Sequence, residues 1–117
     1  MEISERDKQI LLHILKYCNE VEKTVECVKT EEAFNENFIY RNAISMPLLQ
    51  IGELANHFTD DFRKKESAIP WRDIIAMRNR FAHGYGEMDR HEIWKTACND
   101  VPVLKKYCMN MLKATDE

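Results

Sequence analysis

Apolar residues recur every three or four positions through almost the whole chain. Ile10, Ile14, Tyr17/Cys18, Val21, Val25 and Val28 form the first such series. Tyr40, Ile44, Leu48, Ile51, Ala55 and Phe58 form the second, and Ile93, Ala97, Val101, Leu104, Cys108 and Met111 the last. A shorter series, Trp71, Ile74, Ile75, Arg78 and Ala82, lies between them. That period is the helical one, and each series is one face of a helix that must be buried. With three Gly and three Pro in 117 residues, few tight turns are available, which argues against a many-stranded sheet. The expectation is an all-α, up-and-down bundle of four long helices forming a single domain over residues 1–117.

The punctuation agrees. Ser4, with Glu5 and Asp7 after it, caps a first helix from about residue 4 to 29. Thr30 to Asn37 is acidic and turn-like. A second helix runs from about 37 to 58, carrying Pro47, which should kink it. Gly52 inside that helix costs roughly 1 kcal/mol relative to alanine, and close approach of a neighbouring helix is the return it suggests. Thr59 to Ser67 is charged and reads as a loop. Ile69-Pro70-Trp71 opens the third helix, and Gly84 and Gly86 stop it. Asp89-Arg90-His91-Glu92 is a capping box for the fourth. Pro102 falls inside that fourth stripe, so either one helix kinks there or two abut, capped by Asn99 or Asp100. The end of the chain should fray from about Ala114.

Composition narrows the function classes. A formal charge of −3 does not suit a general nucleic-acid coat, although it leaves room for a local basic site. There is no run of 18 apolar residues, and Met1 to Glu5 has neither a basic nor an apolar leader region, so no membrane contact and a cytoplasmic location are expected. Four cysteines without a C-x-x-C pair read as reduced thiols, mostly buried. Glu53 and His57, four apart, could share a metal, but no third ligand lies near, so no metal or other cofactor is expected. Phosphate-cradling glycine loops, H-E-x-x-H and G-x-S-x-G are all missing.

One stretch concentrates chemistry. Arg78, Asn79, Arg80, His83 and Tyr85 fall within eight positions at the end of the third helix. Five residues of helix separate Arg78 from His83 by about 7.5 Å and about 140° of rotation. The two are not on one face, but arginine is long, and both could reach a phosphate-sized group beside the last turn. A surface arginine and histidine around an ordinary helix end is the plainer reading of the same residues.

The string Arg78-Asn79-Arg80-Phe81-Ala82-His83-Gly84-Tyr85 resembles the R-N-x-x-x-H-x-Y signature of the HEPN superfamily, and in particular the HepT-like toxins that are partners of MNT-type nucleotidyltransferase antitoxins. Ile51-Gly52-Glu53, Pro70-Trp71-Arg72-Asp73-Ile74 and Asp100-Val101-Pro102-Val103-Leu104 resemble further motifs of that family, in the same order. The resemblance implies a homodimer whose cleft is lined by the motif from both copies, cleaving RNA without metal. It implies Arg78 and His83 as the catalytic pair and Asn79 as a supporting residue. It implies Tyr85 as the residue to which the antitoxin transfers AMP, silencing the toxin. Arg41, Arg72, Arg80 and Arg90 are candidate RNA-backbone contacts, or equally salt-bridge partners. A non-catalytic helical subunit that serves a nucleotidyltransferase is the alternative.

Overall fold

A computed structural model describes residues 3–115. The fraying expected at the end of the chain reaches residues 116 and 117, and the leader reading involves residues 1 and 2; these lie outside the described residues. The described chain contains no strand. Its helices are α1 (Glu5–Val28), α2 (Glu31–Glu36), α3 (Phe38–Ala55), α4 (Asp60–Lys65), α5 (Trp71–Gly84), α6 (Arg90–Lys95) and α7 (Val101–Thr115). A 3-10 turn, Tyr85–Glu87, follows α5, and a π-helical turn, Thr96–Asp100, joins α6 to α7. The fold is thus the all-α bundle, with α1, α3, α5 and the α6–α7 unit as its four long members. None of the described helices is long and apolar enough to cross a membrane.

The Pro102 ambiguity resolves into one helix. Proline lacks the N–H that would bond the carbonyl four residues back, and its ring crowds that carbonyl. A π turn just before Pro102 widens the ladder, with Val101 N–H donating to the Thr96 carbonyl. Helical backbone runs on through Lys95, Thr96 and Val101 without a second cap at Asn99 or Asp100.

α1 packs against both α3 and α7, and α3 packs against α5. The order α5–α3–α1–α7 leaves α5 and α7 facing across a gap. At one end of it Trp71 meets Tyr107 edge-on, with ring centroids 5.8 Å apart. At the other Arg80 pairs with Glu92. Between them lies a cavity of about 500 Å³, lined by Leu48, Ile51, Met77, Val101 and Leu104 among others.

The apolar series of α1, α3 and α6–α7 are buried as expected, with Tyr17, Val25 and Tyr40 half-buried at their margins. In α5 Trp71 is buried and Ile74 and Ile75 are half-buried against the core, but beyond them the series is offset by one position. Met77 and Phe81 are buried, while Arg78 is half-buried and Ala82 exposed. The reason is contact geometry: α5 turns Met77 and Phe81 inward, and Arg78 lies at the seam with α3 instead.

Two segments expected to be irregular are short helices. Thr30 caps α2 through Ala33 N–H (3.1 Å), and Thr59 caps α4 through Phe62 N–H (3.2 Å). Each inserts one phenylalanine, Phe34 and Phe62, into the core. Phe62 stacks on Phe58 at 4.3 Å, and Phe34 meets Trp94 at 5.3 Å. Asp7 does more than sit in a first helical turn. It is buried, and its carboxylate accepts from both Thr59 N–H (3.0 Å) and Thr59 Oγ1 (2.8 Å), tying the start of α1 to the α4 cap.

Candidate active site

The site grows from a glycine. A Cβ on Gly52 would stand 2.4 Å from the Cβ of Arg78 and 3.0 Å from the Ile74 carbonyl. Only a residue without a side chain lets α5 lie this close to α3. The helix contact that Gly52 suggested is therefore with the segment that bears the motif.

The neighbouring residue on α3 then reaches the arginine. Glu53 Oε2 accepts from Arg78 Nε at 2.6 Å, and Arg78 Nη1 donates to Asn79 Oδ1 at 3.0 Å. Two sides of the guanidinium are fixed, while Nη2 makes no hydrogen bond among the described residues. The hydrogen bond from Arg78 holds the Glu53 carboxyl below the usual glutamate range, and its charge and the nearby His57 act in the same direction. His57 Nε2 lies 3.4 Å from Glu53 Oε1. Glu53 is thus engaged by an arginine, and among the described residues no group of three His, Cys, Asp or Glu side chains comes together.

His83 occupies the last turn of α5 and is exposed, with no hydrogen bond or ion pair among the described residues. Asn79 and Arg72 are exposed on the same helix. Within one copy of the chain, then, hydrogen bonds bring Arg78, Asn79 and Glu53 together, and exposed His83 shares none of them. The gap between α5 and α7 is lined by Arg80, not by Arg78 or His83. Arg80 is paired with Glu92 across that gap.

Tyr85 lies in the 3-10 turn, 40% exposed. Its ring packs beside Phe81 at 5.8 Å, and its hydroxyl donates to Asn42 Oδ1 at 2.7 Å. Arg41 and Arg90 both donate to the main-chain carbonyl of Asn35.

The sequence did not point to Glu53 as a partner of Arg78. Glu53 stands out there as part of Ile51-Gly52-Glu53 and as a neighbour of His57; the signal for the arginine contact is adjacency to Gly52, since the residue beside a helix contact is the one able to reach across it. Asn42 carried no signal at all.

Comparison with known proteins gives a consistent result. The ribonuclease HepT-like family matches residues 14–111. A protein of Methanocaldococcus jannaschii bearing an RNase name is 34% identical over 105 residues, covering 89% of this chain and 95% of its own. Another with an RNase name, from Caldanaerobacter subterraneus subsp. tengcongensis, is 30% identical over 103 residues, covering 88% and 91%. A third, from Thermococcus cleftensis, carries the name ribonuclease HepT and is 28% identical over 95 residues, covering 76% and 86%. No solved structure gives a significant match.

Proposed function

The chain belongs to the HepT-like ribonucleases, and on that premise we propose that it is the toxin of a toxin–antitoxin pair, an RNA endonuclease that needs no metal and acts at a cleft between two copies of the chain. The observation that carries this reading is the guanidinium of Arg78. It is oriented by Glu53 and Asn79, keeps donors unspent, and lies on the same helix as an unengaged imidazole.

In the proposed reaction a ribose 2′-oxygen attacks the adjacent phosphorus. The new P–O bond closes a cyclic phosphate as the bond to the 5′-oxygen breaks. One imidazole takes the 2′-hydroxyl proton and a second delivers a proton to the leaving oxygen. One copy of the chain offers a single motif histidine, so His83 of two copies supplies the base and the acid. Arg78 meets the charge that develops on the phosphorane oxygens. Asn79 keeps the guanidinium in place, and Arg41 and Arg72 are candidate contacts to the RNA backbone.

Exposed apolar residues on α3 support a second copy. Ile39 and Met46, 61% and 58% exposed, lie seven residues apart on the face of α3 that carries Glu53. An apolar pair beside the motif suits a symmetric contact.

Silencing is assigned to Tyr85. A partner nucleotidyltransferase transfers AMP to its exposed hydroxyl, adding bulk and negative charge beside the motif.

The test is cleavage of RNA by the purified chain in EDTA. Wild type should leave cyclic-phosphate or 3′-phosphate ends, and Arg78→Ala and His83→Ala should each cut about a hundredfold more slowly or worse. Tyr85→Phe should cut, yet take no AMP from the nucleotidyltransferase. Equal cutting by the three proteins would remove Arg78 and His83 from the mechanism. A stable complex with the nucleotidyltransferase, showing neither cleavage nor adduct, would instead make the chain a binding subunit.

A further inference from the structure

Beside Tyr85 the fold gathers positive charge that no acid among the described residues pairs with. Phe38, Arg41, Asn42, Tyr85, Arg90 and Ile93 line a cavity of about 170 Å³. Arg41, from α3, and Arg90, from the start of α6, both donate through Nη1 to one oxygen, the main-chain carbonyl of Asn35. Two guanidinium groups thus converge on a neutral acceptor that occupies one donor of each. Arg63, Arg78 and Arg80 each have a carboxylate within ion-pairing distance; among the described residues Arg41 and Arg90 have none, and they alone of the arginines share one acceptor. Like charges held together are unfavourable until an anion joins them, and paired guanidinium forks match the oxygens of a phosphate. Phe38, 63% exposed at the same cavity, adds an open aromatic face.

We propose that this cavity is the receptor for the nucleotide carried on Tyr85, with the phosphate between Arg41 and Arg90 and the base against Phe38. This rests on Tyr85 being the nucleotidyl acceptor. In the transfer, Tyr85 Oη attacks the α-phosphorus of ATP. The Oη–P bond forms, the bond to the β-phosphate oxygen breaks, pyrophosphate leaves, and the phenolic proton passes to a base of the transferase. The hydroxyl that donated to Asn42 Oδ1 becomes an ester oxygen, and Asn42 is free to turn its amide N–H toward the phosphate. The phosphodiester keeps one negative charge, the charge the two arginines lack. A seated adduct stays beside the motif and is shielded from phosphodiesterases, so silencing persists after the antitoxin is lost.

The experiment uses full-length chain modified by co-expression with its nucleotidyltransferase, then exposed to a nonspecific phosphodiesterase. Loss of the adduct is followed by intact mass. Arg41→Gln and Arg90→Gln should each lose the nucleotide severalfold faster than wild type, and the double variant at least tenfold faster, whereas Lys64→Gln on α4 should match wild type. Phe38→Ala leaves both bonds to Asn35 untouched, so it tests the cavity even where an arginine variant melts early, and it too should release faster. Equal rates in wild type, Phe38→Ala and both single arginine variants would overturn the receptor while leaving Tyr85 as acceptor. No adduct on wild type would overturn the acceptor, and the receptor with it.

Discussion

Gly52 and Arg78 meet backbone to side-chain stem: a methyl group placed on the glycine would overlap the arginine's Cβ at 2.4 Å. The contact is with the first side-chain atom, which is fixed by the α5 backbone and cannot swing aside, and the Ile74 carbonyl at 3.0 Å blocks the other direction. Gly52→Ala must therefore push α5 away from α3. Overpacking of this kind costs about 1–3 kcal/mol, a loss of several degrees in melting temperature for a chain of this size. Because the displaced helix carries the arginine, RNA cleavage should fall along with stability. An unchanged melting temperature would show that the helices do not meet as described.

Glu53 gives this contact a pH dependence. Hydrogen bonding to Arg78 lowers its carboxyl pKa. A group whose folded pKa is depressed contributes its full stabilisation above the unfolded glutamate value of about 4.3, and loses it as pH falls through the folded value. Glu53→Gln has no such titration. The difference in denaturation midpoint between wild type and Glu53→Gln should be flat from neutrality down to about pH 5 and change only below it. A difference that varied between pH 6 and 8 would mean that another group is responsible.

Much of this architecture is legible in the sequence because burial leaves a periodic trace. The stripes of α1, α3 and α6–α7 are long, and each supplies several residues to the core. α2 and α4 leave almost no trace, since each buries one phenylalanine in six polar-rich residues; only the caps Thr30 and Thr59 mark them. The offset on α5 has a different origin. Arg78 carries an apolar stem and falls on the helical period, so it reads like a core position, but its stem rests against Gly52 while its head turns to Glu53. The motif residues themselves are legible as a cluster of reactive types. Their mutual geometry is not, because Glu53 lies 25 residues from Arg78 and Asn42 lies 43 from Tyr85.

Asp7 and Thr59 should prove energetically coupled. The carboxylate is buried and takes two hydrogen bonds from one threonine, whose Oγ1 also caps α4. Hydrogen bonds to a charged group contribute about 1.5–3 kcal/mol. Thr59→Ala loses a cap and leaves a buried carboxylate oxygen without its donor, while Asp7→Ala loses both bonds. Removing both residues should cost less than the sum of the single variants, with a coupling of about 1 kcal/mol or more from chemical denaturation. Strict additivity would rule out the staple between α1 and α4.

The four thiols, all free, should separate by reactivity. Cys27 is exposed. Burial, chiefly, raises the Cys98 pKa, and it pushes Cys18 up to about 12, with Glu22 adding to the effect. Cys108 is raised by burial and by the nearness of Cys18. Since the thiolate is the reactive form, a thiol-exchange reagent at pH 8 should titrate Cys27 fast and Cys98 slowly. Cys18 and Cys108 should react only as the protein unfolds. Cys27→Ser should abolish the fast phase, and a fast phase surviving in it would contradict the burial of the others.

The proposed two-copy cleft predicts what happens when the α3 face is charged. Met46 is 58% exposed and takes no part in the core, so Met46→Glu should leave the melting transition of one copy nearly unchanged. In a symmetric contact each substitution counts twice, and the two new carboxylates face each other across the axis. Light scattering should find the variant shifted toward monomer at concentrations where wild type is dimeric, and RNA cleavage should fall with the dimer fraction, recovering partly at high protein concentration. His83 would then be separated from its symmetry mate without any change in its own surroundings. A Met46→Glu monomer that cleaves at the wild-type rate would place the whole reaction within one chain, and a single exposed imidazole would have to serve as both base and acid.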